Sequence, residues 1–190
     1  DMYIAKDEII HAVNTYSNAS YKADDENTVE MPATGEDNGL VLSDMTGLDY
    51  NDAEWEKLLD ELSTDDMVNL VNVGGWQTAE VKSIKKMATS DCDGPAGLSN
   101  FITGNYGTAF PAEVLMAQTW SKELMAEIGA AIGQEYANAN NYGWYGPAMN
   151  IHRSAFSGRN FEYYSEDSVL SGALASAEVN AASQYGVYPY

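Results

Sequence analysis

Cysteine, arginine and positive charge are all scarce in this chain, and each shortage closes off a class of function. One cysteine, Cys92, among 190 residues excludes an internal disulfide and a cysteine-only zinc site within the chain. Nine basic side chains stand against 29 acidic ones, a formal net charge of −20. Nucleic-acid binding needs clustered Lys and Arg, so nucleic acid is excluded as a partner. The same deficit excludes an anionic membrane surface. No apolar run approaches the roughly 18–20 residues that a transmembrane helix needs. Asp1-Met2-Tyr3 opens into mixed polar sequence without a basic or an apolar leader region. With the lone thiol, this makes a reducing, cytoplasmic location the expectation.

Hydrophobic residues, by contrast, make up 45% of the chain, enough to bury a sizeable core. The acidity is uneven. Residues 1–66 hold 18 acidic and 3 basic side chains, residues 67–190 only 11 and 6. Asn18–Asn38, with Asp24-Asp25-Glu26, Glu30, Pro32, Gly35, Glu36 and Asp37, reads as a solvated loop or linker. Asn18-Ala19-Ser20 matches a glycosylation sequon, a pattern that recurs by chance.

Periodicity begins after this stretch. Trp55, Leu58, Leu59 and Leu62 fall at i, i+3, i+4 and i+7, predicting an amphipathic helix over 52–62. Ser63 or Thr64 caps a second helix, with Asp65 and Asp66 in its first turn and Met67, Val68, Leu70 and Val71 packing. Ala88–Pro95 reads as a strand carrying Asp91 or Asp93 at its end. A long helix follows over Ser121–Asn140, with Leu124, Ile128, Ala131, Ile132 and Tyr136 on one stripe. Trp144–Ile151 reads as a buried strand interrupted at Gly146-Pro147. Ser165 caps another helix, and Val187–Tyr190 starts a third strand. Strands separated by long helices imply parallel βαβ units.

The chemistry concentrates in Gly146–Asp167. Both arginines of the chain, Arg153 and Arg159, lie there. In so acidic a protein, arginine used only here points to its fixed fork of donors. The run lies between a strand and a capped helix, where α/β folds place ligands.

Three blocks then make a family pattern. They are Asp93-Gly94-Pro95-Ala96-Gly97-Leu98, Thr108-Ala109-Phe110-Pro111 leading to Ala117-Gln118-Thr119-Trp120, and Gly146-Pro147 through Asn150-Ile151-His152-Arg153 to Gly158-Arg159-Asn160-Phe161-Glu162-Tyr163-Tyr164-Ser165-Glu166-Asp167. In this order and spacing they resemble the N-terminal barrel domain of glycoside hydrolase family 3, the β-glucosidase group. The resemblance implies an α/β fold, the first part of a TIM-type (β/α)8 barrel with about three βα units. It covers 49–190; residues 1–48 would be an acidic linker or the tail of a preceding domain, as in members with reversed domain order.

The resemblance also implies roles. Asp93 would accept hydrogen bonds from the hydroxyls of the sugar in subsite −1, for which a carboxylate has enough acceptor sites. Arg159 would reach the same sugar from the next strand's loop. Asn150, His152, Arg153 and Glu162 would support that loop. Asp93 as a turn cap, and Arg159 as an ion-pair partner of Glu162 or Asp167, are the structural alternatives. Tyr142, Trp144 and Tyr145 read as core. One departure stands out: many members have Arg just after the Asp-Gly-Pro-x-Gly-Leu stretch, where Ser99 and Asn100 stand here, which leaves the exact sugar open.

The family's reaction retains configuration, with an Asp nucleophile and a second carboxyl about 5–5.5 Å away as acid and base. Neither has an equivalent in these residues, so no catalytic residue is assigned to them. The expectation is part of a retaining exo-acting β-glucosidase whose ligand is a small β-glucoside or oligosaccharide. It uses no cofactor and no metal, and its partners are the remaining barrel and an acid/base-bearing domain of the same polypeptide. The rival readings are a non-catalytic carbohydrate-binding member and an acidic interaction module. A calcium loop starting at Asp91 fails, since Ala96 and Ile102 occupy the positions that require Gly and Glu. Cys92, between two acids, is expected to have a raised thiol pKa and to serve packing.

Overall fold

In the computed structural model, residues 6–15, 32–152 and 154–190 are described. In chain order they form α1 (Asp7–Thr15), α2 (Glu54–Asp60), α3 (Thr64–Asn72), β1 (Gln77–Thr78), β2 (Thr89–Asp93), β3 (Ser99–Asn100), β4 (Asn105–Tyr106), α4 (Glu113–Ala117), α5 (Lys122–Asn138), β5 (Gly143–Tyr145), α6 (Ser168–Ser183) and β6 (Tyr188–Pro189). Short 3-10 turns lie at Leu42–Met45 and Asn160–Glu162.

Packing divides the chain into Asp1–Pro32 and Ala33–Tyr190. The first unit contains α1, a helix that the residues alone did not announce, with Asp7 and Glu8 in its first turn where the helix dipole favours acids. Most of the acidic stretch 18–38, including the Asn18 sequon, lies outside the described residues. In the second unit, three apolar residues in an acidic neighbourhood, Leu40, Met45 and Leu48, join a core cluster with Leu58, Leu62, Val81 and Ile84. Backbone bonds pin them, from Gly35 N to Leu62 O at 3.0 Å and from Leu42 N to Ile84 O at 2.8 Å.

The two helices beside this cluster form, shorter and less evenly buried than periodicity implied. In α2, Leu58 is buried and Leu59 is exposed. In α3, Met67 and Leu70 pack on the cluster, whereas Val68 and Val71 face outward. Ser63 caps α3: its hydroxyl accepts from Asp66 N at 3.1 Å, and the Asp66 carboxylate accepts from Ser63 N at 3.0 Å.

The central sheet runs β4-β3-β2-β5-β6, with β1 also paired to β2. Its middle is parallel, as the alternation of strand and helix implied. Asp91, Cys92 and Asp93 of β2 face Gly143, Trp144 and Tyr145 of β5, which pairs in parallel with β6. The pairings of β1, β3 and β4 are antiparallel, which no βαβ reading anticipates. They belong to two-residue strands with too little sequence to show a period. The strand expected over 144–151 ends at Tyr145, because Gly146-Pro147 follows and proline has no N–H for a ladder; that peptide is cis.

The main core lies between sheet and helices: Cys92, Met116, Met125, Ile128, Ile132, Tyr136, Trp144, Tyr164 and Leu174 are all buried in it. Helices α5 and α6 pack so closely that a Cβ at Gly129 would meet Glu178 O at 2.1 Å. Ser121 caps α5 by accepting from Leu124 N at 3.1 Å. The cap of α6 is Asp167, not Ser165: the Asp167 carboxylate accepts from Leu170 N at 2.8 Å, and Ser165 Oγ accepts from Asp167 N at 3.0 Å. No helix among the described residues is long and apolar enough to cross a membrane.

Candidate functional site

The C-terminal ends of β2, β5 and β6 bring Asp93, Tyr145 and Tyr190 to the rim of one cleft of about 540 Å³. Its lining continues through Gly146–Asn150 and across to Arg159, Glu162 and Tyr163. Ligand clefts of open α/β sheets form at this end of the strands because loops there converge and backbone groups are free of the ladder.

Asp93 is placed by a loop that cannot relax. Gly94 has φ of 138°, and a Cβ there would sit 1.6 Å from Gly97 O. Only glycine fits. The loop's other anchors are side chains of the core. The Trp144 indole donates to Gly94 O at 2.7 Å, and the Tyr136 hydroxyl donates to Asp93 O at 2.7 Å. With its main chain so held, Asp93 remains exposed, and it lines the cleft. Two residues earlier on the same strand face, Asp91 accepts from the hydroxyls of Tyr188 at 2.9 Å and Tyr190 at 3.0 Å. Burial and the Asp91 carboxylate hold Tyr190 well above the ordinary phenol range, so it remains a neutral donor.

Arg159 comes from the opposite side, just before the Asn160–Glu162 turn. Its Nε donates to Glu162 Oε1, and Glu162 raises the arginine's already high pKa. The Arg159 side chain is 68% exposed against 13% for Glu162, so the guanidinium extends over a carboxylate that is itself sunk in the wall. The ion-pair alternative considered for Arg159 is therefore present in the structure, and it coexists with a place on the cleft. Asn150 lines the cleft as well. His152 stands behind it, its Nε2 2.8 Å from Tyr163 O. Arg153 lies outside the described residues.

Ser99 and Asn100, which replace the arginine of many family members, have separate fates. Ser99 lines the cleft. Asn100 is buried and occupied: its Oδ1 accepts from Ile102 N and Thr103 N at 3.1 and 3.0 Å, and its Nδ2 donates to Asn141 Oδ1.

Several lining residues were not picked out from the sequence. Tyr145 was grouped with the core, yet only Trp144 of that cluster is fully buried. Tyr145 stacks edge-on with Trp76 at 5.1 Å and tilts against Tyr190 at 4.9 Å, giving the cleft an aromatic flank. Strand alternation was the available signal, since neighbours 144 and 145 must face opposite ways. Glu113 of α4 and Glu178 of α6 are both 0% exposed, which no pattern in the sequence announces. The Cys92 thiol is raised as expected, but burial is the main cause and the flanking acids are minor. Among the described residues no cluster of His, Cys, Asp and Glu is built to hold a metal ion.

An exposed carboxylate, a guanidinium opposite it and aromatic faces between them are what a polyhydroxylated ring requires: acceptors, donors and apolar C–H contacts. Residues 61–190 match the family model described as the glycosyl hydrolase family 3 N-terminal domain. The chain is 40% identical over 134 residues to beta-glucosidase A of Butyrivibrio fibrisolvens, which covers 65% of this chain and 16% of that protein. It is 30% identical over 137 residues to a probable beta-glucosidase H of Aspergillus oryzae, covering 70% of this chain and 17% of the relative. Among solved structures, beta-glucosidase 3B of Thermotoga neapolitana in complex with alpha-D-glucose superposes with a TM-score of 0.61 at 37% identity, over 72% of this chain and 22% of that one. A beta-glucosidase from Paenibacillus barengoltzii gives a TM-score of 0.67 at 27% identity, over 85% and 18%. The chain thus spans about a sixth of the length of the first two relatives. The family model covers more than half of the chain, and the chain belongs to glycosyl hydrolase family 3, within its N-terminal domain.

Proposed function

We propose that these residues are part of a retaining, exo-acting β-glucosidase, and that the cleft receives the terminal non-reducing glucosyl ring in subsite −1. The observation that carries this reading is the placement of the exposed Asp93 across one cleft from Arg159. Asp93 accepts from adjacent sugar hydroxyls, Arg159 donates to them, and Tyr145 offers its ring to the sugar's C–H face. In this reading β2, β5 and β6 are the first parallel strands of a (β/α)8 barrel, and residues 1–48 join it to a preceding domain. The nucleophile and the acid/base come from outside these residues. Support comes from relatives named beta-glucosidase and from the structural neighbour with glucose bound.

The test is hydrolysis of a panel of p-nitrophenyl β-glycosides by the full-length protein beside Asp93→Ala and Arg159→Ala. The glucoside is the expected substrate. Each variant should lose about 10- to 100-fold in kcat/KM, the worth of charge-assisted hydrogen bonds to a neutral ligand. Glucoside cleavage at parental rate by both variants overturns the site. Absence of cleavage with retained glucose binding favours the non-catalytic reading.

A further inference from the structure

Glu113 is the least explained charge-bearing group in the molecule. It is 0% exposed, and neither of its carboxyl oxygens has a hydrogen-bond partner among the described residues. Its helix, α4, packs against the Asn160–Glu162 turn on one side and α6 on the other. From α6 it faces Glu178, whose one carboxyl oxygen accepts from the Tyr164 hydroxyl while the other is unpartnered. From the turn it faces Glu162, the residue that holds Arg159 over the cleft. A buried carboxylate with no donors is too costly to persist, so such a group takes up a proton instead.

We propose that Glu113 is a positioning residue for the cleft: as a neutral acid it leaves Glu162 seated on Arg159, and as a carboxylate it repels Glu162 and unseats that pair. Among the described residues, the titratable side chains facing it are Glu178, Glu162 and Tyr164, acids throughout, and Glu162 is in turn paired with Arg159. Only the backbone N–H groups of Glu113 itself and of Ala148 favour a negative charge there, neither within hydrogen-bond geometry, and burial outweighs them. Burial, aided by Glu178 and Glu162, accordingly raises its pKa to about 7, which sets the switch near neutrality. The inference rests on the sugar-binding reading only for its last readout.

Two measurements on the full-length protein decide it. The first is a cycle of thermal midpoints for wild type, Glu113→Gln, Glu162→Gln and the double variant at about pH 5.5 and about pH 8.5. Coupling of about 2–4 °C should be present at the higher pH and absent at the lower. Equal coupling at both, or none at either, overturns the proposal, because a purely structural contact does not follow a proton. The second is D-glucose affinity by calorimetry over the same range. Wild type should weaken up to about fivefold at the higher pH, whereas Glu113→Gln should be flat. A fall that persists in Glu113→Gln also overturns it. Should Glu113→Gln fail to fold, the affinity profile of Glu162→Gln decides, since a pH-dependent fall without Glu162 refutes the route through it. If wild type binds no glucose at either pH, the sugar reading falls and the thermal cycle alone judges Glu113.

Discussion

Asp93 and Arg159 face the same cleft from loops that are held in different ways. The Asp93 loop is closed by steric necessity: Gly94 abuts Gly97 O, and two core aromatics, Trp144 and Tyr136, bond its carbonyls. The Arg159 side has no such lock. A 3-10 turn, an ion pair to Glu162 and a bond from Asn160 Nδ2 to Ser154 O hold it, and beneath it lie two buried acids. One wall is fixed by shape. The other is fixed by charge, and it answers to pH.

The largest effect is expected from Gly94→Ala. Its φ and the 1.6 Å approach to Gly97 O leave no conformation for a Cβ, so the loop must open. A loss of about 3–5 kcal/mol is expected by urea unfolding, together with loss of glucose affinity. Wild-type stability in this variant would show that the wall is not sterically fixed.

The opposite wall should break with pH. Burial raises Glu113 and Glu178 from 4.5 to about 7, with Glu178 adding to the effect on Glu113 and the Tyr164 hydroxyl opposing it at Glu178. A carboxyl whose folded pKa is raised stabilises fully below its unfolded pKa, and that stability is lost as pH rises through the folded value. Unfolding free energy should therefore fall between about pH 5 and pH 8, by about 3 kcal/mol at most per group, titrating as a coupled pair. The double variant Glu113→Gln with Glu178→Gln should lose that slope. A wild-type curve that is flat across this range would contradict the buried pair.

The contrast between the walls also explains what was legible in the residues. Asp93-Gly94-Pro95 announces itself because its backbone permits so little else, and the Ser63 cap, α5 and the parallel β2–β5–β6 core follow from capping and period. Glu113 and Glu178 do not announce themselves. Each sits in a helix whose pattern reads equally well with the acid facing solvent, and only tertiary packing of α4 on α6 buries them. The same gap hid the anchoring of Leu40, Met45 and Leu48 inside an acidic average. It also makes Ser165 read as the α6 cap, two residues before Asp167, whose carboxylate accepts from Leu170 N.

The smallest and sharpest comparison deletes one hydrogen bond from each wall. Trp144→Phe removes the donor to Gly94 O, and Asn160→Ala removes the donor to Ser154 O; both bonds are 2.7 Å long. Length therefore does not separate them, but burial does. Gly94 O is buried with the fully enclosed indole, so losing its partner leaves an acceptor that water cannot reach, at a cost of about 2 kcal/mol. Ser154 O is exposed, water replaces the lost amide, and about 0.5 kcal/mol is expected. Thermal unfolding of the two variants side by side measures the difference. Equal losses would mean that solvent reaches the Asp93 loop as freely as the Arg159 turn, and the distinction between a wall of shape and a wall of charge would have to be abandoned.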